Sequence, residues 1–223
     1  MAGKFKYTKY FVLSFAVIII DQLVKLWVHF NMVRGAAGEI TVFGDWFKLH
    51  YTLNPGMAFG MELGFEYDKL VLTLFRLVAM CFIAYYLYLL ARRQVHTGLL
   101  WSIGLILGGA VGNVLDSIFY GKFLGLTADN APTPWFHGKV VDMFYLDIWE
   151  GQVASWVPFI GGDWMSLWPI FNIADAAIFV GVATILIMQK RFFAETKTTE
   201  ETVADSIAEG SDSTESVEAG RVA

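Results

Sequence analysis

The hydrophobic pattern of this chain is dominated by four long apolar runs, at about residues 10–30, 70–90, 99–120 and 168–188. Each approaches the roughly twenty residues that a helix needs to cross a bilayer's hydrocarbon core. No fixed internal period relates them, so a repeat architecture is not indicated. Between the first two runs the pattern changes. Phe47, Leu49, Tyr51 and Leu53 alternate with polar neighbours after Gly44-Asp45, which predicts a short β-hairpin. The stretch 121–168 has a turn-rich part, 127–134, and then Trp149, Trp156, Phe159, Trp164 and Trp168. So much aromatic surface predicts a flap lying at headgroup depth. The expected fold class is therefore an all-α membrane protein. It has four transmembrane helices, a small extracytoplasmic β-hairpin or sheet, and an interfacial loop or short helix.

Charge orients this arrangement. Lys4, Lys6 and Lys9 precede the first run, Arg92 and Arg93 separate the second from the third, and Lys190 and Arg191 follow the fourth. The other two loops, about 31–69 and 121–167, carry only scattered bases. By the positive-inside bias both termini are cytoplasmic and the long loops face outward. The net charge of −5 belongs to the end of the chain, because eight acidic and only two basic residues lie from Glu195 onward. Residues 1–192 read as one four-helix membrane domain and 193–223 as an acidic, disordered cytoplasmic tail. The first run has the outline of a signal peptide but continues through Asp21-Gln22 to Trp27 with no cleavage site after its core, so it reads as a retained helix. No basic cluster with interleaved aromatics points to nucleic acid. The single Cys81 excludes an intrachain disulfide.

Ionisable residues inside a span cost roughly 2.5–3.5 kcal/mol each, so each needs a reason. Asp21 and Lys25 are four apart in the first run, Asn113 and Asp116 three apart in the third, and Asn172 and Asp175 three apart in the fourth. Arg76 is alone in the second. Given the direction of each span, these groups converge on the outer half of the bilayer. Asp142, in an apolar patch of the second outer loop, is placed to fold down to the same level. Helix locking is the simpler account of Asp21 with Lys25, and of Asp116 with Arg76. It is weaker for Asp142 and Asp175, which have no cation within helical reach. Two close carboxylates can share one proton and polarise a water molecule. His29, His50, His96 and His137 lack metal-ligand spacing, so neither a metal nor an organic cofactor is expected. No serine elbow is present. A proton-coupled carrier would spread its charges through the whole bilayer depth, and an inert scaffold would tolerate loss of Asp142. Both remain as alternatives at this point.

Five motifs then follow in order: Asp21-Gln-Leu-Val-Lys25, Asn54-Pro-Gly56-Met-Ala-Phe59, Gly108-Gly-Ala-Val-Gly-Asn113-Val-Leu-Asp116, Val140-Val-Asp142, and Phe171-Asn172-Ile-Ala-Asp175. Together they resemble the bacterial lipoprotein signal peptidases, signal peptidase II, across every helix. The resemblance implies an aspartic endopeptidase of the inner membrane that removes signal peptides from diacylglyceryl-modified prolipoproteins by cutting before the lipidated cysteine. It implies Asp142 and Asp175 as the catalytic pair. Asn54, Gly56, Asn113 and Asn172 would line the site or clamp substrate, and Asp21, Lys25 and Asp116 would support it. Lipid-modified prolipoproteins, membrane lipid and globomycin-like inhibitors are the partners implied, and the chain is expected to act as a monomer. Two departures stand out. The family usually has Arg directly after the aspartate of the third motif, where this chain has Ser117, and Arg76 is expected to supply that charge to Asp116. The stretches 121–138 and 147–168 also look longer than the family usually has.

Overall fold

The computed structural model describes residues 5–55, 67–152, 154–156, 161–162, 164–166 and 168–192. Gly56, Phe59, Phe159 and the acidic tail lie outside the described residues. Four helices, α1 (Phe5–Asn31), α2 (Asp68–Arg92), α3 (Thr97–Leu124) and α4 (Ile173–Phe192), are long and apolar enough to cross a membrane. The chain is thus a multi-pass membrane protein of the expected class. α3 is the central helix: 56% of its apolar window is buried by protein, against 28%, 11% and 17% for α1, α2 and α4. The other three therefore present most of their apolar surface to lipid.

Small residues let α3 occupy that centre, as packing between membrane helices requires. A Cβ added to Gly108 would stand 2.8 Å from the Ser14 carbonyl oxygen on α1, and one at Gly109 would stand 2.2 Å from the Ala174 oxygen on α4. Ser14 reinforces the first contact by donating to the Gly104 carbonyl at 2.7 Å. At the end of the bundle where α1 begins, Tyr10, Leu87, Leu100, Ile103 and Phe192 form one buried cluster. At the other end Val28, Met32 and Tyr120 meet Tyr51, Val141 and Met143, which seats the sheet on the helices.

The sheet has the order β1-β2-β3, all antiparallel, with β1 Ile40–Phe43, β2 Phe47–Asn54 and β3 Val140–Leu146. The hairpin forms where the alternation places it, with Gly44 at φ +52° in the turn. The third strand corrects the expectation for Asp142, which lies in β3 and not in a hanging loop. Val140, Val141, Asp142 and Met143 are all buried, so both faces of the strand are covered. A strand buried on both faces reads as a continuous apolar run without alternation. Beyond it, β4 (Glu150–Gln152) pairs with β5 (Trp164–Ser166), and Trp149, Trp156 and Trp168 are exposed, in keeping with an aromatic flap.

Two helix boundaries also differ. α4 starts later than the apolar run does, because Pro169 precedes it and Phe171 pairs with Phe144 as a strand would, through bonds of 3.0 and 2.8 Å. α3 runs on beyond Tyr120 to Leu124, and its residues Asp116–Tyr120 are π-helical. Because Gly109 meets a main-chain oxygen that cannot step aside, Gly109→Val should separate α3 from α4. The measurable outcome is a melting temperature lowered by about 10 °C or more in detergent, or no folded protein at all.

Candidate active site

The site is built outward from one lysine. Lys25 Nζ lies 2.8 Å from Asp21 Oδ2, 2.7 Å from Asp116 Oδ2 and 2.9 Å from Asn113 Oδ1. Lys25 and both aspartates are fully buried. An ammonium has three protons, and three acceptors surround it. The Asp21 spacing is the i,i+4 pairing expected within α1, whereas the other two partners come from α3. Gln22 closes the far side, donating to Asp116 Oδ1 at 2.7 Å and accepting from the Tyr120 hydroxyl at 3.1 Å. Neither Gln22 nor Tyr120 figured among the candidates. Gln22 was within reach of the sequence argument, being an amide inside an apolar span beside Asp21.

Asparagines carry the network onward. Asn113 donates to Asp175 Oδ1 at 2.7 Å, so its two amide atoms join Lys25 on one side to Asp175 on the other. Asn172 caps α4: its Oδ1 accepts the Asp175 N–H at 2.9 Å, and the Asp175 carboxylate receives the Asn172 N–H at 3.3 Å. This is a reciprocal capping box. The next free N–H of the helix, that of Ala174, donates to Asp21 Oδ1 at 2.9 Å, so α1 completes the cap. Asp175 is thereby held at the positive end of the α4 dipole, an arrangement that suits a negative group.

The same Asn172 reaches the sheet. Its Nδ2 donates to Asp142 Oδ1 at 2.6 Å, while Asn54 Nδ2 donates to Asp142 Oδ2 at 3.0 Å. Asp142 is 1% exposed, whereas Asp175 is only partly buried. Burial, together with the charge of Asp175, pushes the Asp142 carboxyl up to about 7, and the two amide donors pull only partly the other way. Asp142 is thus enclosed, with its carboxyl held well above the usual carboxylate range, while Asp175 is accessible. Of the expected site residues, Asp21, Lys25, Asn54, Asn113, Asp116, Asp142, Asn172 and Asp175 all come together in one bonded network.

Arg76 does not have the expected role. The cation on Asp116 is Lys25, at 2.7 Å, and Asp175 is a charge that bears on Arg76. At the position after Asp116, the Ser117 hydroxyl donates to the Asn113 carbonyl at 3.1 Å. Ser117 is fully buried, its carbonyl accepts the Gly138 N–H at 2.8 Å, and a Cβ on Gly138 would stand 2.2 Å from the Asp116 oxygen. The stretch that follows α3 therefore fills this space. The π-helical turn suits it, because a widened turn releases carbonyls from the helical ladder. Those of Ser117 and Ile118 are taken by Gly138 and Phe136, the latter at 3.3 Å.

Fold and site together define a polytopic membrane protein with two aspartates on different elements, both bonded to one asparagine. The family model described as signal peptidase (SPase) II matches residues 13–191, and the chain belongs to that family. It is 48% identical over 187 residues to a lipoprotein signal peptidase of Amoebophilus asiaticus, covering 83% of this chain and 79% of that one. To that of Porphyromonas gingivalis it is 43% identical over 185 residues, covering 78% and 79%. A solved bacterial membrane enzyme shares the fold at a TM-score of 0.55 and 22% identity, over 82% of this chain and 88% of that one.

Removing Lys25 would leave two buried carboxylates and an asparagine without their shared partner. Lys25→Met should cost about 3–5 kcal/mol of stability, read as loss of folded protein after detergent extraction. Lys25→Met with Asp116→Leu, which removes one of the stranded charges as well, should recover part of it.

Proposed function

We propose that this chain is an aspartic endopeptidase that releases signal peptides from prolipoproteins, cutting before the diacylglyceryl-modified cysteine, with Asp142 and Asp175 as its catalytic pair. The observation that carries this reading is that the two carboxylates, from β3 and α4, are bonded to the same Asn172, one enclosed and one accessible. Membership of the family supplies the substrate class.

In this mechanism Asp175 is ionised and takes a proton from water while the water oxygen attacks the scissile carbonyl carbon. Asp142, protonated, donates a hydrogen bond to the carbonyl oxygen that gains charge. When the tetrahedral intermediate collapses, the C–N bond breaks and the leaving amine takes a proton from the aspartates. Asn113 and Asn172 hold the two carboxylates in register, and Asn54 steadies Asp142. Asp21, Lys25 and Asp116 fix the helices from which these groups project. Asn54 and Gly56 flank the extended signal peptide, and the acyl chains stay in lipid. The setting is the bacterial inner membrane, with both termini cytoplasmic and the site towards the outer face. Globomycin-like peptides would compete for the same groove, and a monomer suffices for the chemistry.

Purified protein, a lipidated prolipoprotein and a gel test the reading, with cleavage expected and globomycin expected to block it. Asp142→Asn and Asp175→Asn should each lower the rate by at least about 100-fold while folded protein persists in the membrane. Near-normal processing by either variant removes that residue from the pair. The pH dependence has a defined sign. Because the acid form of Asp142 is the working one, kcat should fall as pH rises through about 7, where its proton is lost. A rate that keeps rising to pH 9 would assign the proton elsewhere.

A further inference from the structure

The first turn of α2 contains a lysine that the mechanism above does not use. Lys69 is 3% exposed, and its ammonium donates to the main-chain carbonyl of Pro55. Among the described residues no carboxylate lies within 4 Å of it. The charges around it are Asp68 and Arg76 on its own helix, Asp116 on α3, and Lys139 just before β3. Enclosing an ammonium costs more than enclosing an apolar side chain, so bare packing would be better served by Met or Leu. The position has to be read through the group it holds.

That group is the end of β2. Asn54 is the last residue of the strand, paired with Val140, and its amide is one of the two donors on Asp142. Pro55 follows. Proline has no N–H, so its carbonyl is the one main-chain polar group through which it can be tied down. Lys69 takes that carbonyl. One turn along α2, the fully buried Thr73 hydroxyl lies 2.9 Å from the Phe136 carbonyl, and Phe136 is itself bonded to the π-helical turn of α3. The start of α2 is thus anchored on α3's partner loop and in turn anchors the strand end.

We propose that Lys69 is a positioning residue for the cleavage reaction: by holding the Pro55 carbonyl it keeps the Asn54 amide on the Asp142 carboxyl. The proposal rests on Asp142 belonging to the catalytic pair. Loss of the tether would free the amide, misorient the carboxyl and remove a donor that favours its ionised form. Turnover then falls, and Asp142 keeps its proton to higher pH.

The test uses the full chain in lipid or detergent with a lipidated prolipoprotein. Lys69→Met should lower kcat by about 10-fold or more with KM changed less than about threefold, and should move the high-pH limb upward. Lys69→Arg, which retains a donor of similar reach, should restore most of the rate. Because both act through one amide, Lys69→Met added to Asn54→Ala should cost little more than Asn54→Ala alone. A kcat within twofold of the parent, a raised KM at unchanged kcat, or multiplying losses in the double variant would each overturn the assignment. If Lys69→Met yields no folded protein, Lys69→Gln is read by the same limb and the same kcat, since its shorter amide cannot span the distance. An unmoved limb with normal kcat in that variant also overturns it. Asp142→Asn separates the two levels. If it cleaves normally, the catalytic pair and the Lys69 proposal fail together; if it is dead while Lys69→Met is normal, only the Lys69 proposal fails.

Discussion

Everything at this site depends on the buried ammonium of Lys25 having all of its acceptors. A lysine with no solvent exposure, deep in a membrane bundle, is stable only when its charge is matched and its three protons are placed. Two carboxylates and an asparagine do that. The requirement is stringent because it cannot be met by α1 alone. Only Asp21 lies within the helix's own reach, and α3 must approach closely enough to deliver Asp116 and Asn113. The glycines of α3 make that approach possible. Packing and electrostatics are therefore one constraint here: close helices complete the ammonium's shell, and the completed shell holds the helices close.

Asn113 turns this structural knot into part of a site. With one amide oxygen on Lys25 and one amide nitrogen on Asp175, it fixes the orientation of the Asp175 carboxylate. Asn172 repeats the device between Asp175 and Asp142. Such a chain of amides transmits position without adding charge, which matters where a further cation would hold both carboxylates ionised. The asymmetry between an enclosed Asp142 and an accessible Asp175 then follows from their elements. A strand buried on both faces encloses its side chains, whereas Asp175, in the first turn of α4, is only partly buried.

The stretch that follows α3 is tied into the fold at one place. Ser117 is small and buried because the stretch ahead of β3 docks on the π-helical end of α3 through Phe136 and Gly138. The same stretch reaches Thr73 on α2, so this connection braces the second helix.

The sequence by itself determined the four helices and the hairpin, and predicted that the costly polar groups would come together. These follow from local quantities: run length, alternation, and the cost of each charge in lipid. It also determined the Asp21–Lys25 pair, because helical spacing alone brings those residues together. The order of five motifs identified the same residues that the fold gathers, Gly56 lying outside the described ones. What it did not determine was partnership across elements. That Lys25 and not Arg76 meets Asp116, that Asp142 stands on a strand, and that Asn172 caps α4 while reaching β3 are all set by how α3 seats between α1 and α4. The partners of Gln22 and Tyr120 lay out of reach for the same reason. A polar side chain's partner is chosen by the three-dimensional packing of segments some ninety residues apart, and no periodicity along the chain encodes that distance.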